Sequence, residues 1–234
     1  MIKHIGFYGH SNCAYRSPDS FIDMLAKHYD ADIVNLGVRQ GSEDRILFEL
    51  KKTKQLDLAI IFHSEPQYIF LPGCDRDIGL NQVDEHRAKY LFKDWDSDFN
   101  KKHHRKFLEK FESPENFLKV MDSFKRYLYH PDIQLNRFYG NLIQIEQFLV
   151  AKNIPCIHVL DGRNIPSWFK FSGITDYLIL NIAKHNPIPS GTWFVNGITQ
   201  EGNILIFKRL VELVDKYFHD IIQNQDTGRT RDNC

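Results

Sequence analysis

The chain has 234 residues, 42% hydrophobic and 26% charged, with 30 basic side chains balancing 30 acidic ones. That length suits one large α/β domain or two small ones. The zero formal charge argues against a nucleic-acid groove or an anionic membrane surface as partner, and no apolar stretch approaches the ~20 residues that span a bilayer.

The first residues, "MIKHIGFYGH", lack an apolar signal-peptide core followed by a small-residue cleavage site. Cys13, Cys74, Cys156 and Cys234 form no CxxC pair. The eleven histidines are scattered apart from His103-His104, and none has the HExxH spacing of a helical zinc site. A reduced, cytoplasmic protein without metal or cofactor is expected.

"HIGFYG" is mostly apolar, as suits a strand buried on both faces of a parallel sheet. "SPDSFIDMLAKHYD" follows as a helix. Phe21, Ile22, Leu25 and Ala26 lie at helical spacing, and Ser17 or Asp19 is in place to cap it. "ADIVNLG" is a second strand ending at Gly37. "SEDRILFELKKTK" is a second helix, with Ser42 as N-cap, Glu43 and Asp44 in its first turn and lysines in its last. "LDLAIIFHS" is a third strand that is apolar up to His63. A β-α-β-α-β run of this kind implies a parallel sheet with helices on its faces.

Residues 67–135 break the rhythm. They are charged, with aromatics at helical spacing, and read as a helical insertion over one end of the sheet rather than a separate domain. The α/β pattern then returns. "LNRFYGNLIQIEQFLVAKN" is a helix, "IPCIHVLD" a fourth strand ending at Asp161, "DYLILNIAKHN" a short helix and "QEGNILIFKRLVELVDKYFHDII" a long one. A single domain over residues 1–222 is expected, with residues 223–234 a polar, disordered tail.

Ligands of open parallel sheets bind at the carboxyl ends of the strands. Here those ends carry His10, Ser11 and Asn12; Gly37, Arg39 and Gln40; His63, Ser64 and Glu65; and Asp161. A serine, histidines, carboxylates and turn glycines together are the parts of a nucleophilic hydrolase site.

The stretch from Gly9 to Pro66 resembles the first half of the SGNH, or GDSL-type, hydrolase superfamily. Gly9-His10-Ser11 stands where that family has Gly-Asp-Ser, and Asn35-Leu36-Gly37 stands at its second block. The segment "NGITQEGNILIFKRLVELV" is similar to its last block and helix. The likeness covers roughly residues 1–66 and 138–222. It implies a three-layer α/β/α sandwich, flavodoxin-like, in which Ser11 is the nucleophile and the N–H groups of Ser11 and Gly37 form the oxyanion hole.

The sequence departs from the pattern at several places, among them Ser64 where the family has a glycine and Phe194 or a neighbour where it has the triad aspartate. His10 replaces the aspartate beside the serine. Pro66 falls where the family has its oxyanion asparagine, and proline has neither a side-chain donor nor an N–H. Gly197 falls where the base histidine is expected. His63, oriented by Glu65 or Asp161, is the best replacement base, and His185 is the second.

Two functions compete on this reading. One is an esterase acting through Ser11 on a small acyl or acetylated carbohydrate ester, with His10, Asn12, Arg16, Arg39, Gln40 and Glu65 lining the binding site. The other is a binding protein of the same fold without turnover. A nucleotide-binding domain is disfavoured, because no GxGxxG or P-loop pattern is present. No nucleic-acid or membrane partner is expected, and the residues do not specify an oligomeric state.

Overall fold

The computed structural model describes residues 2–9, 13, 19–38, 41–74, 77–79, 106, 109–160, 165–186 and 198–226, with side chains up to 219. Its elements are β1 (His4–Gly9), α1 (Phe21–Tyr29), β2 (Asp32–Gly37), α2 (Glu43–Lys52), β3 (Leu58–Phe62), β4 (Tyr68–Ile69), β5 (Ile78–Gly79), α3 (Pro114–Tyr127), α4 (Pro131–Ala151), β6 (Cys156–Val159), β7 (Ile174–Asp176), α5 (Leu178–His185) and α6 (Gln200–Asp226). Five strands form a parallel sheet in the order β2-β1-β3-β6-β7. Counted within the sheet alone, this is the 2-1-3-4-5 order of flavodoxin-like folds, whose order reverses between the first and third strands.

The sheet is covered on both faces, so its central strands are apolar on both sides. Ile5, Phe7, Ile60, Phe62, Ile157 and Val159 face α1, α5 and α6. Tyr8, Ala59, Ile61 and Cys156 face α2 and α4, meeting Ile46, Leu50, Ile145 and Leu149. The period-two alternation of a strand thus divides its residues between two cores. The expected α/β/α sandwich is the observed one.

The start of α1 differs from the sequence expectation. Its N-cap is Ser20 rather than Ser17 or Asp19. The Ser20 hydroxyl accepts the Asp23 N–H, and the side chain of Asn203, from α6, accepts the Phe21 N–H. A cap supplied from a distant helix leaves no local signal. The β4–β5 hairpin and the three-residue strand β7 were likewise not anticipated. Within residues 67–135 the described elements are this hairpin, α3 and the start of α4. Cys74, Ile78, Phe111, Phe117 and Met121 form a small core of their own there.

A buried ion pair ties the hairpin to α2. Arg45 donates to Asp77 Oδ1 through Nη2 at 2.6 Å and Nε at 3.0 Å. Asp77 Oδ1 also accepts the Leu71 N–H at 3.1 Å. Its Oδ2 accepts the Ser42 N–H at 2.8 Å and the Ser42 hydroxyl at 2.7 Å. Arg45 Nη2 donates further to the carbonyls of Leu71 and Cys74. Ser42 is the N-cap of α2, so this cluster sets where that helix begins.

The exit from β1 depends on glycine. Gly9 has φ +112°, and a Cβ there would lie 2.0 Å from the Phe62 carbonyl oxygen. Gly9→Ala is therefore expected to destabilise the protein by about 3 kcal/mol or more, adding backbone strain to a clash with a central strand. Urea unfolding measures it, and a loss below about 1 kcal/mol contradicts this account of the turn. At Gly37 the constraint is close approach, since a Cβ there would lie 2.7 Å from both the carbonyl carbon and oxygen of Cys13.

Candidate functional site

The order of the sheet reverses between β1 and β3, and there Gly9 stands in register with Phe62. Ser11 follows Gly9 by two residues and His63 follows Phe62 by one. His10, Ser11, Asn12, Arg16, Arg39, Gln40 and Asp161 lie outside the described residues. Both flanks of the Ser11 segment are described. Gly9 accepts the Val38 N–H on its carbonyl, and buried Cys13 directs its thiol to the Tyr8 carbonyl at 3.5 Å.

His63 is buried, with 2% of its side chain exposed, and both ring nitrogens have partners. Nδ1 lies 3.1 Å from Glu43 Oε2, and Nε2 lies 2.9 Å from His158 Nδ1. Glu43 opens α2, where the helix dipole favours a negative charge, and its Oε1 also accepts the Ser64 N–H at 2.8 Å. The orienting carboxylate at His63 is therefore Glu43, a residue that reads in sequence only as a helix-dipole partner. Glu65 instead accepts a hydrogen bond from Gln67.

Beyond His63 the cluster continues inward. His158 is fully buried in β6, in register with Ile61 of β3. Its Nε2 lies 2.9 Å from Glu146 Oε1 on α4, and Glu146 Oε2 accepts the Ser172 N–H at 2.7 Å. The approach of His158 Nε2 to Glu146 Oε1 is close, yet neither atom has a well-aligned hydrogen bond. Phe171 covers both imidazoles, with ring centroids 4.3 Å from His158 and 5.4 Å from His63.

Burial pushes His158 down to about 4, outweighing the opposing pull of Glu146. Burial works to raise the Glu146 carboxyl, but its contacts with His158 and Ser172 outweigh that and hold it below the ordinary carboxylate range. Next to His158, burial and the Glu146 charge push the Cys156 thiol well up.

These shifts carry a sign. A histidine whose folded pKa is depressed takes its proton more readily when the chain is unfolded. Stability from His158 is therefore complete above about pH 6.5 and is lost as pH falls toward about 4. The loss reaches about 3 kcal/mol, taking 1.36 kcal/mol for each pH unit between those limits. Urea unfolding of wild type and His158→Gln between pH 7.5 and 4 measures it. The wild type should lose more stability than the variant over that range, and parallel losses would contradict the assignment to His158.

The remaining candidates have definite places. The Gly37 N–H donates to the Asn35 side chain at 3.1 Å. His185 ends α5 and bonds the Asn181 carbonyl through Nδ1 at 2.7 Å. Glu65, Asp44, Arg137 and Asn141 line a small polar cleft between the start of α2 and α4.

Glu43, His158 and Glu146 went unremarked as site residues in the sequence. The available signal was a histidine within the apolar strand "CIHV" and a glutamate on the apolar stripe of α4 between Ile145 and Leu149.

Among the described residues no three His, Cys, Asp or Glu side chains are grouped to hold a metal, and no helix is long and apolar enough to cross a membrane. No protein-family model and no curated protein matches the chain. Among solved structures it is similar to one described as "a putative lipolytic protein of G-D-S-L family from Desulfitobacterium hafniense DCB-2". Identity is 11% and the TM-score 0.46, with 90% of this chain and 99% of that chain covered.

Proposed function

We propose that this chain is an acyl-ester hydrolase of the SGNH kind, with Ser11 as its nucleophile. The observation that carries the reading is the β1–β3 pair. At the reversal of strand order, the strand leading to Ser11 ends beside the strand leading to His63, and His63 is backed by the Glu43 carboxylate.

In this reading the Ser11 hydroxyl attacks the ester carbonyl carbon and its proton passes to His63. The oxyanion is held by the N–H groups of Ser11 and Gly37. As the intermediate collapses, His63 returns the proton to the departing alcohol. Water then repeats the sequence on the acyl-enzyme, releasing the acid and restoring Ser11. Glu43 holds Nδ1 and the imidazolium that forms. Asp161, two residues after β6 in the sequence, is the other candidate carboxylate, and His185 is the second choice of base. His10, Asn12, Arg16, Arg39, Gln40 and Glu65 offer polar contacts to an acetylated sugar or another small acyl ester.

Turnover by this route requires two exchanges. His63 Nε2 must give up His158 for the Ser11 hydroxyl, and the Gly37 N–H must give up Asn35 for the oxyanion. Those same engagements favour the second reading, a binding protein of this fold that performs no chemistry.

A panel of short-chain nitrophenyl esters and acetylated sugars separates the two. Steady-state hydrolysis by the wild type supports the first. Thermal stabilisation by an acetylated sugar that is recovered intact supports the second and rejects turnover for that ester.

A further inference from the structure

Glu43, His63, His158 and Glu146 come from α2, the end of β3, β6 and α4, and meet in a buried row. The row has three contacts, Glu43–His63 at 3.1 Å, His63–His158 at 2.9 Å and His158–Glu146 at 2.9 Å. Each needs one proton to become a hydrogen bond. Two neutral imidazoles facing two carboxylates bring one proton each, so one of the three contacts is left with lone pair facing lone pair.

The position of the gap can be read from the geometry. At the Glu146 end, His158 Nε2 and Glu146 Oε1 are 2.9 Å apart but not aligned for a hydrogen bond, so that contact loses least when it holds no proton. In that arrangement His63 Nδ1–H donates to Glu43, and His158 Nδ1–H donates to His63 Nε2. His63 Nε2 is then an acceptor held by a single N–H, the atom that the proposed reaction needs as base.

We infer that the four side chains form one proton-sharing unit, which takes up a single further proton at the His158–Glu146 end, closes the third contact as the Glu146 carboxylate turns toward it, and locks His63 into the interior. The proton comes from solvent and adds to His158 Nε2. The charge of the unit rises by one. Uptake then makes His158 an imidazolium hydrogen-bonded to both Glu146 and His63.

The groups facing His158 are His63 from the end of β3, Glu146 from α4, Cys156 from its own strand and the apolar Phe171. Glu43 of α2 lies one residue further along the row. Full burial of His158 places the uptake in the acid range. For the active site this amounts to an acid-side lock on the base, a consequence that rests on the reading of His63 as the base. The proton count itself does not need that reading.

Ring 15N NMR of the labelled protein, titrated from pH 7.5 to 4, tests the count without any substrate. In the wild type, the His158 ring nitrogens should titrate with a midpoint well below 6.5, and the His63 signals should move in that same step as their hydrogen bond to His158 changes. Glu146→Gln removes the charge that stabilises a proton on His158 Nε2 while keeping the side chain's shape. It should shift that joint midpoint downward by one pH unit or more and move the His63 signals with it. If His63 and His158 titrate separately, the unit does not exist. The same holds if the wild-type midpoint lies at or above 6.5, or if His63 is indifferent to Glu146→Gln in a variant whose amide spectrum is otherwise that of the wild type. Serine labelling fails or succeeds independently of these spectra, so the esterase reading and the proton count can be rejected separately.

Discussion

Asp77→Ala is expected to destabilise the protein by about 3–5 kcal/mol, which lowers the melting temperature by roughly 10 °C for a chain of this size. The carboxylate is fully buried and accepts from Arg45, from the N–H and hydroxyl of Ser42, and from the Leu71 N–H. Truncation leaves the Arg45 guanidinium charged in the interior, with 7% of its side chain exposed and no carboxylate opposite. It also removes the acceptor that holds the N-cap of α2. Asp77→Asn should cost less, because the amide oxygen can still accept from Ser42. Joint replacement by Arg45→Met and Asp77→Leu should recover part of the loss, because no buried charge then stands alone. Denaturant unfolding reads all three. A loss below about 1 kcal/mol for Asp77→Ala would mean that the pair does not anchor the hairpin.

Ser11→Ala is expected to lower kcat for a hydrolysed ester by about 10⁴-fold or more, with KM little changed. In the proposed mechanism the hydroxyl forms the bond that defines the first half of the reaction. What survives its loss is the catalysis that oxyanion donors and binding lend to water. The substitution removes one oxygen from a residue just after Gly9, whose backbone is held by the Val38 N–H and by pairing with Phe62. The fold should therefore be retained, and a folded variant with undiminished turnover would remove Ser11 from the mechanism.

The fold was legible where each element carries its own signal. Strand β3 is an unbroken apolar run, and β1 is one after His4, because both of their faces are covered. Ser42 announced α2 because the cap, the acidic first turn and the basic last turn are all local to it. The true cap of α1 was hidden, since part of its support comes from Asn203 on α6. Strand β7 has three residues, too few to show a period.

The site was legible only in part for the same kind of reason. Ser11, Gly37 and His63 stand at strand ends, and strand ends can be found from patterning. Glu43 looked like a helix-dipole residue, His158 like a strand residue and Glu146 like one turn of an amphipathic helix. Their connection exists through the strand register that pairs Ile61 with His158 and through the packing of α4 on the sheet. Spacing along the chain does not encode either.

The central claim is that Ser11 is a nucleophile activated at the reversal of strand order. It is tested most directly by incubating the folded wild type with a fluorophosphonate and mapping the adduct by mass spectrometry. The account predicts one phosphonyl group for each chain, carried by the peptide that contains Ser11 and absent from Ser11→Ala. A folded wild type that takes up no phosphonyl group, or takes it up on another residue, contradicts it.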